Sequence, residues 1–170
     1  VRLRGQGQVR RLGGAARVSA QSSHEVNLDA SLDSSQPFHE VGLHAEYLED
    51  TNRLLQIQDF IAHPIDFSWR QGQSTVPNFG YSSSAYWLRF RVNNLQDARD
   101  WLIEINNPLL DNIQVYFLSR QQLVSSVHTG DAQEFNFRPF KHRNFIIPFP
   151  ETDASELDVY VRVMTHGTLE

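Results

Sequence analysis

The feature that most constrains this fold is a strict alternation of side chains over residues 85–93, which read AYWLRFRVN. Successive side chains of a β-strand point to opposite faces of the sheet. The alternation therefore predicts one long strand with a core-facing row of Tyr86, Leu88, Phe90 and Val92. The opposite row consists of Trp87, Arg89, Arg91 and Asn93, so that an indole lies beside guanidinium groups on the other face.

Short segments of the same kind continue from residue 37 to the end of the sequence. The predicted strands span residues 41–48, 67–70, 84–93, 100–106, 112–119, 122–128, 143–149 and 156–165. Between the first two, residues 54–62 carry apolar side chains at roughly helical spacing, which predicts a short helix or a turn. Many short strands separated by turn residues indicate an all-β fold, an antiparallel β-sandwich. Its apolar rows predict that Ile103, Ile105, Val115, Val161 and Val163 are buried.

Composition excludes several classes of protein. A chain of 170 residues with 40% hydrophobic and 21% charged residues is typical of one globular domain. The net charge of −5 and the lack of a basic stripe with interleaved aromatic residues argue against nucleic-acid binding. Cysteine is absent, which excludes disulfides and thiolate chemistry. No apolar run approaches the ~18 residues of a membrane span.

Residues 1–36 differ in composition from the rest. Between Val1 and Val18 several arginines and glycines occur with no acidic residue and few large apolar side chains. Such a segment buries too little surface to offset the entropy of ordering it. Val18-Ser19-Ala20 is typical of a signal-peptide cleavage site, but no apolar stretch precedes it. We predict that residues 1–36 are a weakly structured arm, or a remnant of a leader or cloning sequence, and that residues 37–170 form the folded domain.

Short motifs in the predicted folded domain carry a family resemblance. They are Asn78-Phe79-Gly80, Ser84-Ala85-Tyr86-Trp87-Leu88-Arg89-Phe90, Pro108-Leu109-Leu110-Asp111, Thr129-Gly130-Asp131, His142-Arg143-Asn144-Phe145 and Tyr160-Val161-Arg162-Val163. In this order, over roughly residues 38–169, the chain resembles the second type of extracellular domain of seven-transmembrane receptors with diverse intracellular signalling modules, a family of bacterial sensors. Thr168 departs from the family pattern, where serine is more usual, but keeps the hydroxyl group.

The resemblance implies a fold, a location and a role. The sandwich is expected to be a jelly roll similar to carbohydrate-binding modules, lying in the periplasm. The domain would be the sensor of a bacterial inner-membrane receptor whose membrane helices are expected beyond Glu170. The output implied is a histidine kinase of a two-component system or a diguanylate cyclase. The expected partner is a carbohydrate or related small polar ligand, and weak self-association into a homodimer is also expected.

Ligand contacts are predicted on the polar rows of the strands, which would line the concave sheet. A sugar has an apolar face that stacks on an aromatic ring, and hydroxyl groups that pair with planar Arg, Asn and Glu side chains. The predicted ligand-binding residues are Trp87, Arg89, Glu104, Tyr116, Arg143, Asn144, Tyr160 and Arg162.

Other interpretations remain open at this point. On one, Arg89, Glu104 and Arg162 form a buried ion-pair network with Trp87 in a core, because a buried charge requires a partner. On another, the domain is a protein-docking or dimerisation module of such a receptor. On a third, it is a carbohydrate-binding module of a secreted enzyme.

No catalytic arrangement, cofactor or metal site is predicted. The serines at 82–84 lack the Gly-x-Ser-x-Gly elbow of serine hydrolases, and no spacing of acidic residues identifies a pair of glycosidase carboxylates. The 7 histidines are dispersed along the chain, and no cysteine completes a zinc site. A structural calcium ion held by loop oxygens such as those of Asp111 or Asp131 is left open. We therefore expect that this domain is not an enzyme.

Overall fold

The computed structural model describes residues 1–5, 29–31, 38–93, 101–133, 138–165 and 168–169, in which short strands accompany one short helix. In chain order the elements are β1 (Arg2–Gly5), β2 (Asp29–Ser31), β3 (Phe38–Glu40), β4 (Glu46–Asp50), α1 (Ile57–Ala62), β5 (Arg70–Gln71), β6 (Gly80–Tyr81), β7 (Ala85–Asn93), β8 (Trp101–Ile105), β9 (Asn112–Ser119), β10 (Gln122–Thr129), β11 (Phe145–Pro148), β12 (Glu156–Met164) and β13 (Thr168–Leu169).

The strands form two large sheets and one small pair. Sheet A has the order β11-β8-β1-β3, and sheet B has the order β10-β9-β12-β7-β4-β5. All of these neighbours are antiparallel. The short strand β2 adds to sheet B by pairing in parallel with the far end of β7, and β6 pairs with β13. The predicted fold class, an all-β antiparallel β-sandwich, is confirmed, whereas the jelly-roll connectivity stays a prediction.

The core lies between the inner faces of the two sheets. Sheet B contributes the predicted apolar row of β7 together with alternate residues of β9 and β12, and sheet A contributes residues of β1, β8 and β11. The predicted core residues are all buried: Tyr86, Leu88, Phe90, Val92, Ile103, Ile105, Val115, Val161 and Val163. Their agreement with the structure follows from the two-residue period of a strand, which local sequence reveals directly.

The two ends of the predicted N-terminal arm take part in the sheets. Residues 2–5 form β1, which pairs with β8 on one side and β3 on the other, and Leu3 is 0% exposed. The backbone of β1 is hydrogen-bonded to a neighbouring strand on each side, and Leu3 is buried in the core. The strand therefore forms in spite of the basic composition of the segment. Residues 6–28 and 32–37, which contain most of the predicted arm, lie outside the described residues.

The first predicted strand, at residues 41–48, is displaced in the structure. Residues 41–44 form a turn in which the backbone N–H of His44 donates to the carbonyl of Val41 at 2.9 Å, and β4 begins at Glu46. Gly42 lies against the Thr75 backbone, where an added Cβ would be 2.2 Å from the carbonyl oxygen. This close crossing of two chain segments requires glycine and interrupts the strand.

Candidate functional site

The outer face of sheet B gathers five of the eight predicted ligand residues. Trp87 in β7 is paired with Arg162 in β12, and Arg89 is paired with Tyr160. Tyr160 is paired in turn with Tyr116 in β9. Directly paired residues of antiparallel strands project to the same face. Trp87, Arg89, Tyr116, Tyr160 and Arg162 therefore form one continuous patch, as the alternation along each strand predicted.

Helix α1 covers this patch. A six-residue helix is not stable alone, and α1 (Ile57–Ala62) buries its apolar face, Ile57 and Phe60, against the sheet. At the start of the helix the Gln56 backbone N–H donates to Asp59 Oδ2 at 2.8 Å. Asp50 at the end of β4 anchors the preceding turn, because its carboxylate accepts from the backbone N–H groups of Leu54 and Leu55 at 3.2 and 3.1 Å.

The aromatic rings beneath and beside α1 form a compact cluster. The Phe60 ring lies 4.8 Å from that of Trp87 between centroids, in an edge-on arrangement, and 5.7 Å from the stacked ring of Tyr160. Trp87 stacks with Tyr116 at 5.9 Å, and Trp69 completes the cluster at 5.2 Å from Phe60. Trp87 is consequently 0% exposed. In this structure it is a core residue of a second apolar cluster, and contact with a ligand would require α1 to move.

Arg89 lies at the edge of the cluster and is paired. Its Nε is 2.6 Å from Oε2 of Glu46, whose side chain is only 8% exposed. Its guanidinium carbon also lies 4.4 Å from the centroid of the Trp69 ring, which is a cation–π contact. Glu46 in β4 is the carboxylate partner that Arg89 requires, because the two residues face each other across the sheet.

Arg162 is buried in a different setting. It is 7% exposed, and its guanidinium carbon lies 5.9 Å from the centre of the Trp87 ring. Its Nη2 donates to the carbonyl of Arg53 at 3.3 Å, while its Nε has no hydrogen-bond partner among the described residues. Within the same ranges the indole N–H groups of Trp87 and Trp69 are also buried without a partner. The cluster therefore contains three buried N–H groups with unused donor capacity.

The two tyrosines of the patch are shielded from water. Burial raises the pKa of the Tyr160 hydroxyl above its ordinary value, and the nearby Arg89 guanidinium opposes that shift. Burial likewise raises the pKa of Tyr116, with Arg162 acting in the opposite direction. The Tyr116 hydroxyl donates to Oε1 of Gln114 at 2.8 Å. Both phenols are thus neutral hydrogen-bonding groups at neutral pH.

The other three predicted ligand residues belong to a different part of the molecule. Glu104 lies in β8 of sheet A, where its Oε1 accepts from Nδ2 of Asn144 at 2.8 Å. Arg143 is an exposed residue just before β11. The prediction that Glu104 shares a face with Arg89 is wrong, because β8 follows β7 in the chain but pairs with β1 and β11 in the opposite sheet. A joint site of all eight residues therefore does not exist in this arrangement.

Sequence reasoning missed several residues of the patch. Glu46, Asp50, Phe60 and Trp69 complete it, although none belongs to an alternating row that the sequence analysis selected. The available signal was the apolar spacing of the helix at 54–62, since a short amphipathic helix needs an apolar surface to cover. The row of β7 that contains Trp87 forms the surface of the sheet that this helix covers.

A separate cavity lies between the sheets and measures about 80 Å³. Its lining is largely apolar and includes Phe79, Leu88, Ile105, Leu110 and Val163. None of the eight predicted ligand residues lines it. The outer face of sheet B combines aromatic rings with the buried Arg162 and the partly exposed Arg89, and it is therefore the better candidate for recognition of a polar ligand.

Comparison with known families identifies the domain. Residues 42–170 match the family described as 7TMR-DISM extracellular 2. The chain belongs to this family. Members are extracellular sensor domains of seven-transmembrane receptors, which places this 7TMR-DISM extracellular 2 domain in the periplasm, and the domain type is non-catalytic in itself. A comparison with curated proteins found no match.

Two motifs of the 7TMR-DISM extracellular 2 domain that the sequence analysis noted have a structural role. The loop at Thr129-Gly130-Asp131 meets the loop at 108–111, because the backbone N–H of Asp131 donates to the carbonyl of Leu110 at 2.8 Å. Gly130 has φ +151, and an added Cβ would lie 2.1 Å from the Asp111 carbonyl oxygen. Glycine is therefore required at this junction.

The described part of the 7TMR-DISM extracellular 2 domain shows neither a metal site nor a membrane span. Among the described residues no group of three or more His, Asp or Glu side chains is placed to hold a metal ion. The Asp131 carboxylate, which was considered for calcium, lies 3.3 Å from the Arg138 guanidinium. Within the same ranges no helix has the length and hydropathy needed to cross a membrane.

Proposed function

We propose that this domain senses a carbohydrate or a related small polar ligand at the outer face of sheet B, beneath α1. The supporting observation is the buried patch in which Arg162 and two indole N–H groups lie among aromatic rings with unused donor capacity. Buried polar groups are normally hydrogen-bonded. A ligand rich in acceptor oxygens would satisfy them, while its apolar face would stack on the rings that Phe60 now contacts.

Binding on this patch requires displacement of α1. Burial of Ile57 and Phe60 contributes about 1.5–3 kcal/mol each, against roughly 1–2 kcal/mol per residue for ordering the backbone. Residues 51–54 before the helix and 63–66 after it are exposed. The net free energy that holds α1 down is therefore small compared with global unfolding, and local opening is expected.

Displacement of α1 supplies two states between which a ligand can discriminate. A ligand shifts an equilibrium only by its difference in affinity for the two states. A sugar that occupies the place of Phe60 binds only the open state. We propose that this change alters the relation of the domain to its receptor partner or to the membrane helices, and so controls a histidine kinase or diguanylate cyclase output.

Calorimetric titration and hydrogen exchange test the proposal together. We expect saturable binding of at least one member of an oligosaccharide panel to the purified domain. Binding should protect the amides of β7 and β12 and speed up exchange in residues 57–62, because the helix is displaced. Lack of binding across the panel would contradict the proposal, as would binding that protects the residues of the cavity between the sheets instead.

A protein-docking or dimerisation role is a second candidate. It is favoured by the complete burial of Trp87 and by large apolar side chains on the covering segment, where Leu54 and Ile65 are 75% and 90% exposed. Sedimentation of the wild type and of a Leu54→Ser/Ile65→Ser double variant separates the candidates. Self-association lost in the double variant, with no sugar bound by the wild type, would favour docking.

A further inference from the structure

The strongest unexplained feature of the patch is the charge of Arg162. It is buried to 7% exposure, and no described carboxylate lies within ion-pair distance of its guanidinium group. We infer that the ligand of this site is anionic, and specifically that it is a carbohydrate bearing a carboxylate, such as a uronic acid, which pairs with Arg162. This inference rests on the proposed function, since it names the class of ligand at the same site.

Other arginines of the described ranges show what Arg162 lacks. Four of them pair with acidic side chains: Arg2 with Glu40, Arg89 with Glu46, Arg91 with Asp158 and Arg138 with Asp131. Burial of a charge is unfavourable unless the charge is paired and hydrogen-bonded. The known partner of Arg162 is a single backbone carbonyl, that of Arg53. A carboxylate from a ligand would supply the missing countercharge.

The acidic residues of the patch, Glu46 and Asp50, are already engaged. Glu46 faces Arg89 and holds it at 2.6 Å. Asp50 accepts two backbone N–H groups, those of Leu54 and Leu55, and so secures the turn before α1. Neither is released for Arg162 unless another contact of the patch is broken. Pairing Arg162 with either carboxylate would therefore break a contact that stabilises the patch.

The unused hydrogen-bonding atoms of the cluster also indicate a ligand rich in acceptor oxygens, as an anionic sugar is. They are Arg162 Nε, Trp87 Nε1 and Trp69 Nε1, and every one is a donor. A ligand that binds here must present acceptors. The planar guanidinium group matches the two oxygens of a carboxylate, and the indole N–H groups match ring or hydroxyl oxygens. The rings of Trp87 and Tyr160, which Phe60 now covers, match the apolar face of a pyranose.

Matched pairs of ligands test the inference on the wild-type domain. Oligomers of galacturonate, of guluronate and mannuronate, and of glucuronate-containing chains are titrated beside their methyl-esterified forms. The two forms differ in charge but hardly in shape. We expect at least one acid to bind about tenfold or more tightly than its ester at low ionic strength. We also expect that the difference shrinks as salt is added.

Two variants assign the charge recognition to a residue. Arg162→Gln should lose the preference for the acid over its ester. Arg91→Gln is the matched control, because Arg91 lies on the same strand face as Arg89 but pairs with Asp158 at 2.7 Å outside the aromatic cluster. It should keep the full preference. Circular dichroism melts establish whether both variants are folded. If Arg162→Gln does not fold, the comparison of acid with ester on the wild-type domain still tests the inference.

The outcomes separate the inference from the proposed function. Equal binding of acids and esters, or of neutral sugars alone, overturns the anionic ligand and leaves the sugar sensor intact. Preference for sulfated over carboxylated sugars overturns the assignment of a carboxylate. An acid preference that persists in a folded Arg162→Gln variant overturns the role of Arg162. Failure of every sugar, charged or neutral, to bind overturns the proposed function itself.

Discussion

The ring of Phe60 meets the indole of Trp87 at 4.8 Å between centroids, with the two planes at 71°. This contact joins α1 to the centre of sheet B and makes the outer face of the sheet a second packed layer. It also bears on both the stability of the domain and its proposed binding of a ligand. The same contact stabilises the fold and occupies the surface on which a ligand would stack.

Truncation of Phe60 should therefore separate stability from binding. Phe60→Ala removes the cover from Trp87 and should lower stability by only about 0.5–3 kcal/mol, because the loss cannot exceed the small free energy that holds α1 on the sheet. If a sugar binds beneath α1, its apparent affinity should rise, since about tenfold is gained for each ~1.4 kcal/mol by which opening becomes easier. Gln58→Ala, at an exposed position of the same helix, is the control. Thermal melts and calorimetric titration are the measurements, and affinity that falls in Phe60→Ala would contradict a covering role.

Trp87 should behave as a core residue when it is truncated. Its side chain is 0% exposed and packs against Phe60 and Tyr116, so Trp87→Ala should lower the free energy of unfolding by about 3–5 kcal/mol. Trp87→Phe, which keeps a ring, should lose less. Urea denaturation measures both variants. A loss below about 1 kcal/mol in Trp87→Ala would show that α1 does not pack on the sheet in solution.

Arg89 and Glu46 should be coupled energetically. The pair is separated by 2.6 Å, and the side chain of Glu46 is 8% exposed. Glu46→Gln leaves Arg89 without its charge partner and should cost about 1–3 kcal/mol. A double-mutant cycle with Arg89→Gln should give a coupling energy of roughly 0.5–3 kcal/mol.

Glu104 provides the control for this cycle. It lies in sheet A, whereas Arg89 lies in sheet B. The effects of Glu104→Gln and Arg89→Gln should therefore add to within about 0.5 kcal/mol. A clear coupling between Glu104 and Arg89 would mean that the strands pair differently from the register described above.

Phe90 tests the register of the central strand. It is 2% exposed on the inner face of β7, so Phe90→Ala should cost about 3–5 kcal/mol. Its neighbour Arg91 is on the outer face with an exposed ion pair to Asp158, and Arg91→Ala should cost only about 0–1 kcal/mol. Chemical denaturation compares the two. Reversal of their order would place β7 one residue out of register.

Stability should fall as the pH rises above about 10. Burial raises the pKa of Tyr86, Tyr116 and Tyr160 above the ordinary 10.0. Above pH 10 the unfolded chain therefore loses phenolic protons that the folded state retains, and unfolding becomes more favourable. Denaturation midpoints measured from neutral to alkaline pH, in the wild type and in Tyr160→Phe, check this. A smaller alkaline loss is expected in the variant, and an unchanged loss would count against burial of Tyr160.

Much of the fold could be predicted from sequence because strand alternation is a local property. β9 was predicted with the same ends, and β7, β8, β10 and β12 within one residue at either end. The strands that escaped prediction were short or atypical in composition. β1 lies in an arginine-rich segment, and β6 and β13 have two residues each, too few for a period to appear.

The candidate site could be predicted only in part. Trp87, Arg89 and their partners in β9 and β12 share a face because the strands pair as direct neighbours in sheet B. Glu104, on the polar row of the next strand, was predicted to line the same sheet, but the chain passes to sheet A between β7 and β8. Strand pairing depends on contacts between residues that are distant in the sequence, so a local pattern does not reveal it.

The sequence by itself determined which side chains of each strand lie inward and outward, since the pleat allows only two directions for a side chain. It also indicated a short helix or turn within residues 54–62. Only the tertiary structure decided what that helix covers. The packing of α1 on sheet B placed Trp87 and Arg162 in an interior, because the free energy of burying Ile57 and Phe60 depends on surfaces that meet only after the sheet has formed.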